Sequence, residues 1–225
     1  MIWNMEPYLL GIDIGTTATK VVLVHPAGDI VKSMSKPVDL FSPRPGWSEE
    51  DPEQWWRNVQ SLIPALLKAA DVRPGQIAAV GVSGMVPTLI LLDADGKPLR
   101  RSIQQNDARA FAEIETLQQR LDQEWLLSKT GSVITQQSIA PKLMWIARNE
   151  PDHYRRTASV CGSYDYIARC LTGHRARNVE ANWALESGLY DLQRTTWLDG
   201  SVRGRPGCAK NGSGMCTVPA LWSVR

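Results

Sequence analysis

The chain has 225 residues, 43% of them hydrophobic, with 25 Lys and Arg against 23 Asp and Glu. That length supports one sizeable buried core or a core and a half, while the mixed charge offers no basic stripe for a phosphate backbone and no apolar run reaches the ~20 residues of a membrane span. Nucleic acid and membrane are not expected as partners, and MIWNMEPYLL lacks the basic and long apolar regions of a secretory leader, so the default compartment is cytoplasmic.

Three strands open the chain, at 8–14, 19–25 and 28–35, with HPAGD turning the second into the third. Leu9 to Ile14 reads as a strand buried on both faces, where an unpaired carboxylate at Asp13 costs several kcal/mol unless it meets a partner, a metal or water. The Gly15-Thr16-Thr17 turn that follows exposes backbone N–H groups and hydroxyls suited to phosphate oxygens, and an acid beside it suits a hydrated Mg²⁺. The same residues fit a hairpin with a turn-capping Asp, and both readings stand at this point.

A helix follows, with Asp51 as N-cap, Pro52 at the first position and Gln54 at the third, ahead of Trp55, Trp56, Val59, Leu62, Ile63, Leu66 and Leu67 at helical spacing. Pro64 is expected to kink it. RPGQ turns the chain into a strand at 77–83, and DADGKP closes another at 87–92; further helices are expected over 108–122, 138–149 and 163–171. Trp47 reads as a staple-like contact before the first helix, and Trp55, Trp56 and Trp145 as core or interdomain packing. Three strands, a crossover helix, another strand and then helices give a mixed α/β sheet flanked by helices, in which ligands gather where strands end and loops diverge. Cys161, Cys170, Cys208 and Cys216 form no C-x-x-C pair and read as free thiols; His25, His153 and His174 have no ligand-spaced companion.

Read in order, GIDIGTTATKVVLV, PGWSEEDPEQWW, GVSGMVPTLILLDADGKPLR, QNDAR, APKLMWIARNEP and ESGLYDLQRTTW resemble the N-terminal domain of the FGGY carbohydrate kinases, in their xylulokinase-like branch. The resemblance runs over about residues 8–199. It implies a ribonuclease-H-like domain of the actin, Hsp70 and hexokinase superfamily, in which two such domains close over ATP and Mg²⁺. On that resemblance Asp13 sits near the Mg²⁺ and the transferring phosphoryl, with Gly15, Thr16 and Thr17 along the phosphate path. Lys20 matches too, but in a strand it also fits a pair with a surface acid. The run SGMVP falls where xylulokinases carry Gln-Met-His beside the sugar; Met85, Val86 and Pro87 remove that polar handle, so specificity is expected to differ from xylulose. Met85 and Val86 equally fit core packing. Asn106, Asp107 and Arg109 match the family's Trp-Asn-Asp-x-Arg, whose acid and neighbours face sugar hydroxyls, while Gln105 replaces the tryptophan. As plain residues, Asp107 fits a helix N-cap and Arg109 an exposed first turn.

The family's catalytic base, an Asp in a Gly-Gly-x-Asp-like segment, has no counterpart after Asp199, so no catalytic residue is expected in this chain and the adenine-binding half is missing. Residues 200–225 hold four of the basic residues, none of the acidic ones and five Gly. They read as a divergent tail, disordered and consistent with truncation, behind a domain at 1–199. The expectation is the N-terminal half of an ATP-dependent kinase acting on a ketose or polyol hydroxyl, inactive alone and open to homo-oligomerisation. The alternatives are a non-catalytic sugar- or nucleotide-binding module and a structural domain that binds neither.

Overall fold

The computed structural model describes residues 7–173 and 178–198. In chain order the elements are β1 (Tyr8–Ile14), β2 (Ala18–Val24), β3 (Ile30–Pro37), β4 (Glu49–Glu50), α1 (Pro52–Ala69), β5 (Ile77–Gly84), β6 (Ile90–Leu92), β7 (Ser102–Ile103) and α2 (Phe111–Arg120). There follow α3 (Gln123–Thr130), α4 (Ile139–Asn149), α5 (Pro151–Arg156), β8 (Ser159–Cys161), α6 (Ser163–Leu171), α7 (Ala181–Glu186), β9 (Tyr190–Asp191) and β10 (Thr196–Trp197).

The main sheet runs β3-β2-β1-β5. Its first three strands pair antiparallel as a meander, and β5 lies parallel to β1, which the crossover through α1 allows. This is the mixed, ribonuclease-H-like sheet that the sequence resemblance implies. Alternation puts Leu10, Ile12 and Ile14 of β1 and Val21 and Leu23 of β2 on one face, where they join Trp55, Val59, Leu62 and Leu66 of α1 in the main core. Each such fully buried aliphatic side chain contributes about 2 kcal/mol. Asp51 caps α1 as expected, its side chain accepting from the Glu53 N–H, and the helix continues through Pro64. Gln54 does not close a capping box, because its amide exchanges two hydrogen bonds with Asp39.

Several expectations need correction. The second face of β1 is not buried: Leu9 is 44% exposed and the Asp13 side chain 46% exposed, so the carboxylate escapes the desolvation cost of a doubly buried strand. β6 leaves the main sheet and pairs with β8. The helix expected from 108 begins at Phe111 with Ala110 as its cap residue; the preceding residues belong to a turn in which the Ala108 N–H is taken by the Gly46 carbonyl. Trp47 is no staple; it packs edge-on to Trp145 with ring centroids 5.2 Å apart. Cys161 and Cys170 are free thiols, as expected, and buried, and His153 pairs with Glu150. His174, Cys208, Cys216 and the tail at 200–225 lie outside the described residues.

Candidate functional site

Asp13 stands near the C-terminal end of β1, opposite Lys20 of β2 in the strand register. The Lys20 Nζ lies 3.8 Å from its carboxylate, and the two side chains are 61% and 46% exposed, so the pair is loose and solvated. The turn beyond it is closed by the Gly15 N–H donating to the Ala18 carbonyl at 3.1 Å, and anchored by the Val38 N–H donating to that of Thr17 at 3.0 Å. Thr16 and Thr17 point to an exposed surface. Among the described residues no three His, Cys, Asp or Glu side chains group as an all-protein metal cage. One solvated carboxylate suits a cation that keeps most of its water shell, as Mg²⁺ does.

The parallel register sets Ser83 and Gly84 beside Asp13 and Ile14. One residue further on, the Met85 N–H donates to the Ile14 carbonyl at 3.0 Å, and the Ser163 hydroxyl at the start of α6 donates to the Met85 carbonyl at 3.0 Å. Gly84 allows this crossing: a Cβ there would stand 2.6 Å from the Ser163 Oγ and 3.1 Å from the Ile14 carbonyl. Met85 and Val86 are partly buried against the main core. The Thr88 Oγ1 lies 3.3 Å from the Met85 carbonyl and 3.5 Å from the Gln104 Oε1 and shares its proton between them.

Gln104 opens the third segment. Its N–H donates to the Ser48 carbonyl at 3.0 Å, its carbonyl accepts from the Asp107 N–H at 3.2 Å, and the Ala108 N–H donates to the Gly46 carbonyl at 2.8 Å. Within this turn the Asp107 carboxylate accepts four hydrogen bonds: from the Ser48 N–H at 2.6 Å, the Arg109 N–H at 3.0 Å, and the Arg109 Nε and Nη2 at 2.8 Å each. All its acceptor positions are taken. The Arg109 side chain is fully buried, bonds Glu49 as well at 2.7 Å, and lies over the Trp47 ring at 3.8 Å and the Trp145 ring at 5.0 Å. Burial opposes its charge, yet the Asp107 and Glu49 carboxylates outweigh that and hold its pKa above the ordinary arginine value. Arg100 pairs with Glu49 and Glu150; here burial wins, and its pKa falls.

Of the sequence-expected residues in this turn, Asp107 and Arg109 are thus buried against each other, and Asn106 is exposed. Sequence reasoning did not single out Ser48, Glu49, Arg100, Lys142 and Ser163. For Lys142 a signal existed: it sits three residues after Ile139 and four before Ile146, the inward positions of α4. Its Nζ donates to the Gln104 carbonyl at 2.8 Å and the Gln105 carbonyl at 3.2 Å.

Hydrogen bonds therefore join all three segments, from Ile14 through Met85 and Thr88 to Gln104, at the C-terminal ends of two parallel strands. The profile of the FGGY family of carbohydrate kinases, N-terminal domain, matches residues 8–203. The chain belongs to that family. Among its relatives is a xylulose kinase of Escherichia coli (strain K12), 33% identical over 194 residues that make up 86% of this chain and 37% of the relative. A crystal structure of xylulose kinase from Rhodospirillum rubrum superposes with a TM-score of 0.79 at 46% identity, covering 84% of this chain and 38% of that one. That of Plasmodium falciparum glycerol kinase with ADP, at 22% identity and a TM-score of 0.77, shares the fold, covering 88% of this chain and 40% of that one. The FGGY chain thus spans two-fifths or less of each of these proteins. Among its described residues no helix is long and apolar enough to cross a membrane.

Proposed function

We propose that residues 8–198 form the sugar- and phosphate-facing half of an ATP-dependent kinase that phosphorylates a hydroxyl of a ketose or polyol. The observation that carries this is the hydrogen-bonded continuity of the Asp13–Thr17 turn, the Met85–Thr88 segment and the Gln104–Arg109 turn along one sheet edge. In this reading Asp13 holds a hydrated Mg²⁺ and Gly15, Thr16 and Thr17 line the phosphate path, where the cation supplies charge neutralisation of the transferring phosphoryl. Asn106 and Gln105 present amides to the sugar, each able to donate and accept toward neighbouring hydroxyls. Asp107 and Arg109 fix the turn from behind, while Met85 and Val86 give the sugar an apolar wall. The relatives' names favour a ketopentose, and the apolar run at 85–87 favours a different hydroxyl pattern from xylulose.

Phosphoryl transfer depends on positioning and charge stabilisation, and a general base contributes ~10² to 10⁴ in rate. Residues 1–225 span about two-fifths or less of the relatives they match, and this stretch is proposed to be inactive alone. A thermal-shift panel of ketoses, polyols and Mg-ATP, read beside a coupled ADP-release assay, tests both parts. A sugar-dependent rise in Tm without ADP release is expected. Sugar-dependent release above background removes the inactivity; no rise with any sugar or nucleotide removes the binding function and favours a structural domain.

A further inference from the structure

Lys142 is 0% exposed, and its chain lies on the buried side of α4 beside Ile139, Ala140 and Ile146. A lysine held there gives up hydration and rotamer freedom, and an apolar side chain of similar volume commonly stabilises such a site as well or better. The ammonium is instead spent on two backbone carbonyls, those of Gln104 and Gln105. These residues start the turn whose next member, Asn106, is exposed at the proposed sugar face. The opposite side of the turn is already held through Asp107 by Ser48 and Arg109. Held from both sides, the Gln105–Asn106 peptide has one orientation, which fixes the point and direction from which the Gln105 and Asn106 side chains leave the backbone.

We propose that Lys142 is a positioning residue for the sugar-facing turn, its buried ammonium fixing the Gln104 and Gln105 carbonyls so that Gln105 and Asn106 present their amides to a polyol. The inference rests on the sugar-site reading above for its purpose, but its geometry is independent of that reading. Two charged groups act on Lys142: burial lowers its pKa most, Asp107 favours the proton and Arg109 opposes it, leaving it at about 8. At neutral pH the nitrogen is therefore an ammonium with three protons to donate.

The test uses Lys142→Met in the whole chain, which keeps the volume and removes the donors. Amide hydrogen exchange at 105–109 is expected to accelerate about tenfold relative to the β1 and β2 amides, and ketose affinity to fall about tenfold with those strands still protected. Turn exchange that stays level with the wild type, or that rises only together with the strands, overturns the proposal. If the variant does not fold, the wild type decides. The ¹³C shifts of the Gln104 and Gln105 carbonyls are expected to titrate with the midpoint of the Lys142 amine, and carbonyls that stay still while that amine titrates overturn it. A wild type that binds no ketose ends the sugar reading, whereas the exchange and carbonyl measurements still decide whether Lys142 holds the turn.

Discussion

Arg109 closes on Asp107, two residues before it, through three donors at once: its backbone N–H, Nε and Nη2 all reach the same buried carboxylate. With Ser48 as the fourth donor the Asp107 carboxylate is saturated, so the pair builds the turn, while the Arg109 Nη1 is buried without a hydrogen-bond partner among the described residues. Removing one partner of a buried pair leaves an uncompensated charge. Asp107→Asn is accordingly expected to destabilise the fold by about 3 kcal/mol, partly relieved by Glu49, in urea titrations at pH 7. A loss under about 1 kcal/mol contradicts this role.

Glu50 carries a pH dependence. Its side chain is fully buried on β4, with one oxygen accepting from the Trp55 Nε1 at 2.9 Å and the other without a hydrogen-bond partner among the described residues. Burial raises its pKa from 4.5 to about 7, against the smaller opposing effect of the Trp55 bond. The folded state thus binds the proton more tightly than the unfolded chain. Its contribution is fully present below pH 4.5 and is lost as pH rises through about 7, by at most about 3 kcal/mol. Asp165, raised to about 6 mainly by burial, adds a slope of the same sign at lower pH. Glu50→Gln keeps the acceptor for Trp55, so the variant is expected to match the wild type near pH 4.5 and exceed its stability at pH 8. Equal stability at both pH values removes Glu50 from this role.

Lys142 has the opposite sign. Its pKa is depressed from 10.5 to about 8, chiefly by burial, so the unfolded chain binds more protons between those values and stability rises as pH climbs from 8 to 10.5. Stability curves over that window should lose the rise in Lys142→Met. A rise that persists unchanged in the variant assigns it to another group.

Much of the fold was legible because local signals agreed with it. The apolar runs of β1 and β2 and the Asp51-Pro52 start of α1 reported the type of each element, and the ranges expected for β1, α4 and α6 match those observed to within a residue. The short strands β4, β7 and β8 carried no readable period, because two or three residues cannot show one; their pairing is set by distant chain. Asp13 was legible as a residue needing a reason, but its solvation was not, since a sheet face left open looks apolar in sequence just as a covered one does. The same holds for Asp107 and Arg109. Their motif drew attention to this turn, whereas their burial depends on Ser48, which bonds Asp107, and Glu49, which bonds Arg109, some sixty residues earlier.

Asp13 is expected to matter for charge and little for folding. Its ion pair among the described residues, at 3.8 Å with a side chain 61% exposed, is of the solvated kind that contributes less than about 1 kcal/mol. Asp13→Asn should therefore leave the unfolding midpoint nearly unchanged while strongly lowering turnover in a full-length enzyme bearing this domain. Unimpaired turnover takes Asp13 out of the phosphate site.

The two edges of the main sheet differ. β3 carries Lys32, Lys36 and Pro37, which discourage pairing with another chain, whereas β5 has no charge and no proline, and its Val80 is 45% exposed. An unguarded edge of that kind favours association. Light scattering of the purified chain is expected to report self-association that Val80→Lys reduces; a wild type that is monomeric at all accessible concentrations contradicts it.

The central claim, that the ends of β1 and β5 and the Gln104–Arg109 turn make one sugar-facing surface, is tested most directly by a ketose titration of the ¹⁵N-labelled chain. Shift changes at Met85, Val86, Gln105 and Asn106 with a common dissociation constant, and none at β9 or β10, are the result expected. Saturating ketose that moves none of those four residues, or that moves β9 and β10 instead, contradicts it.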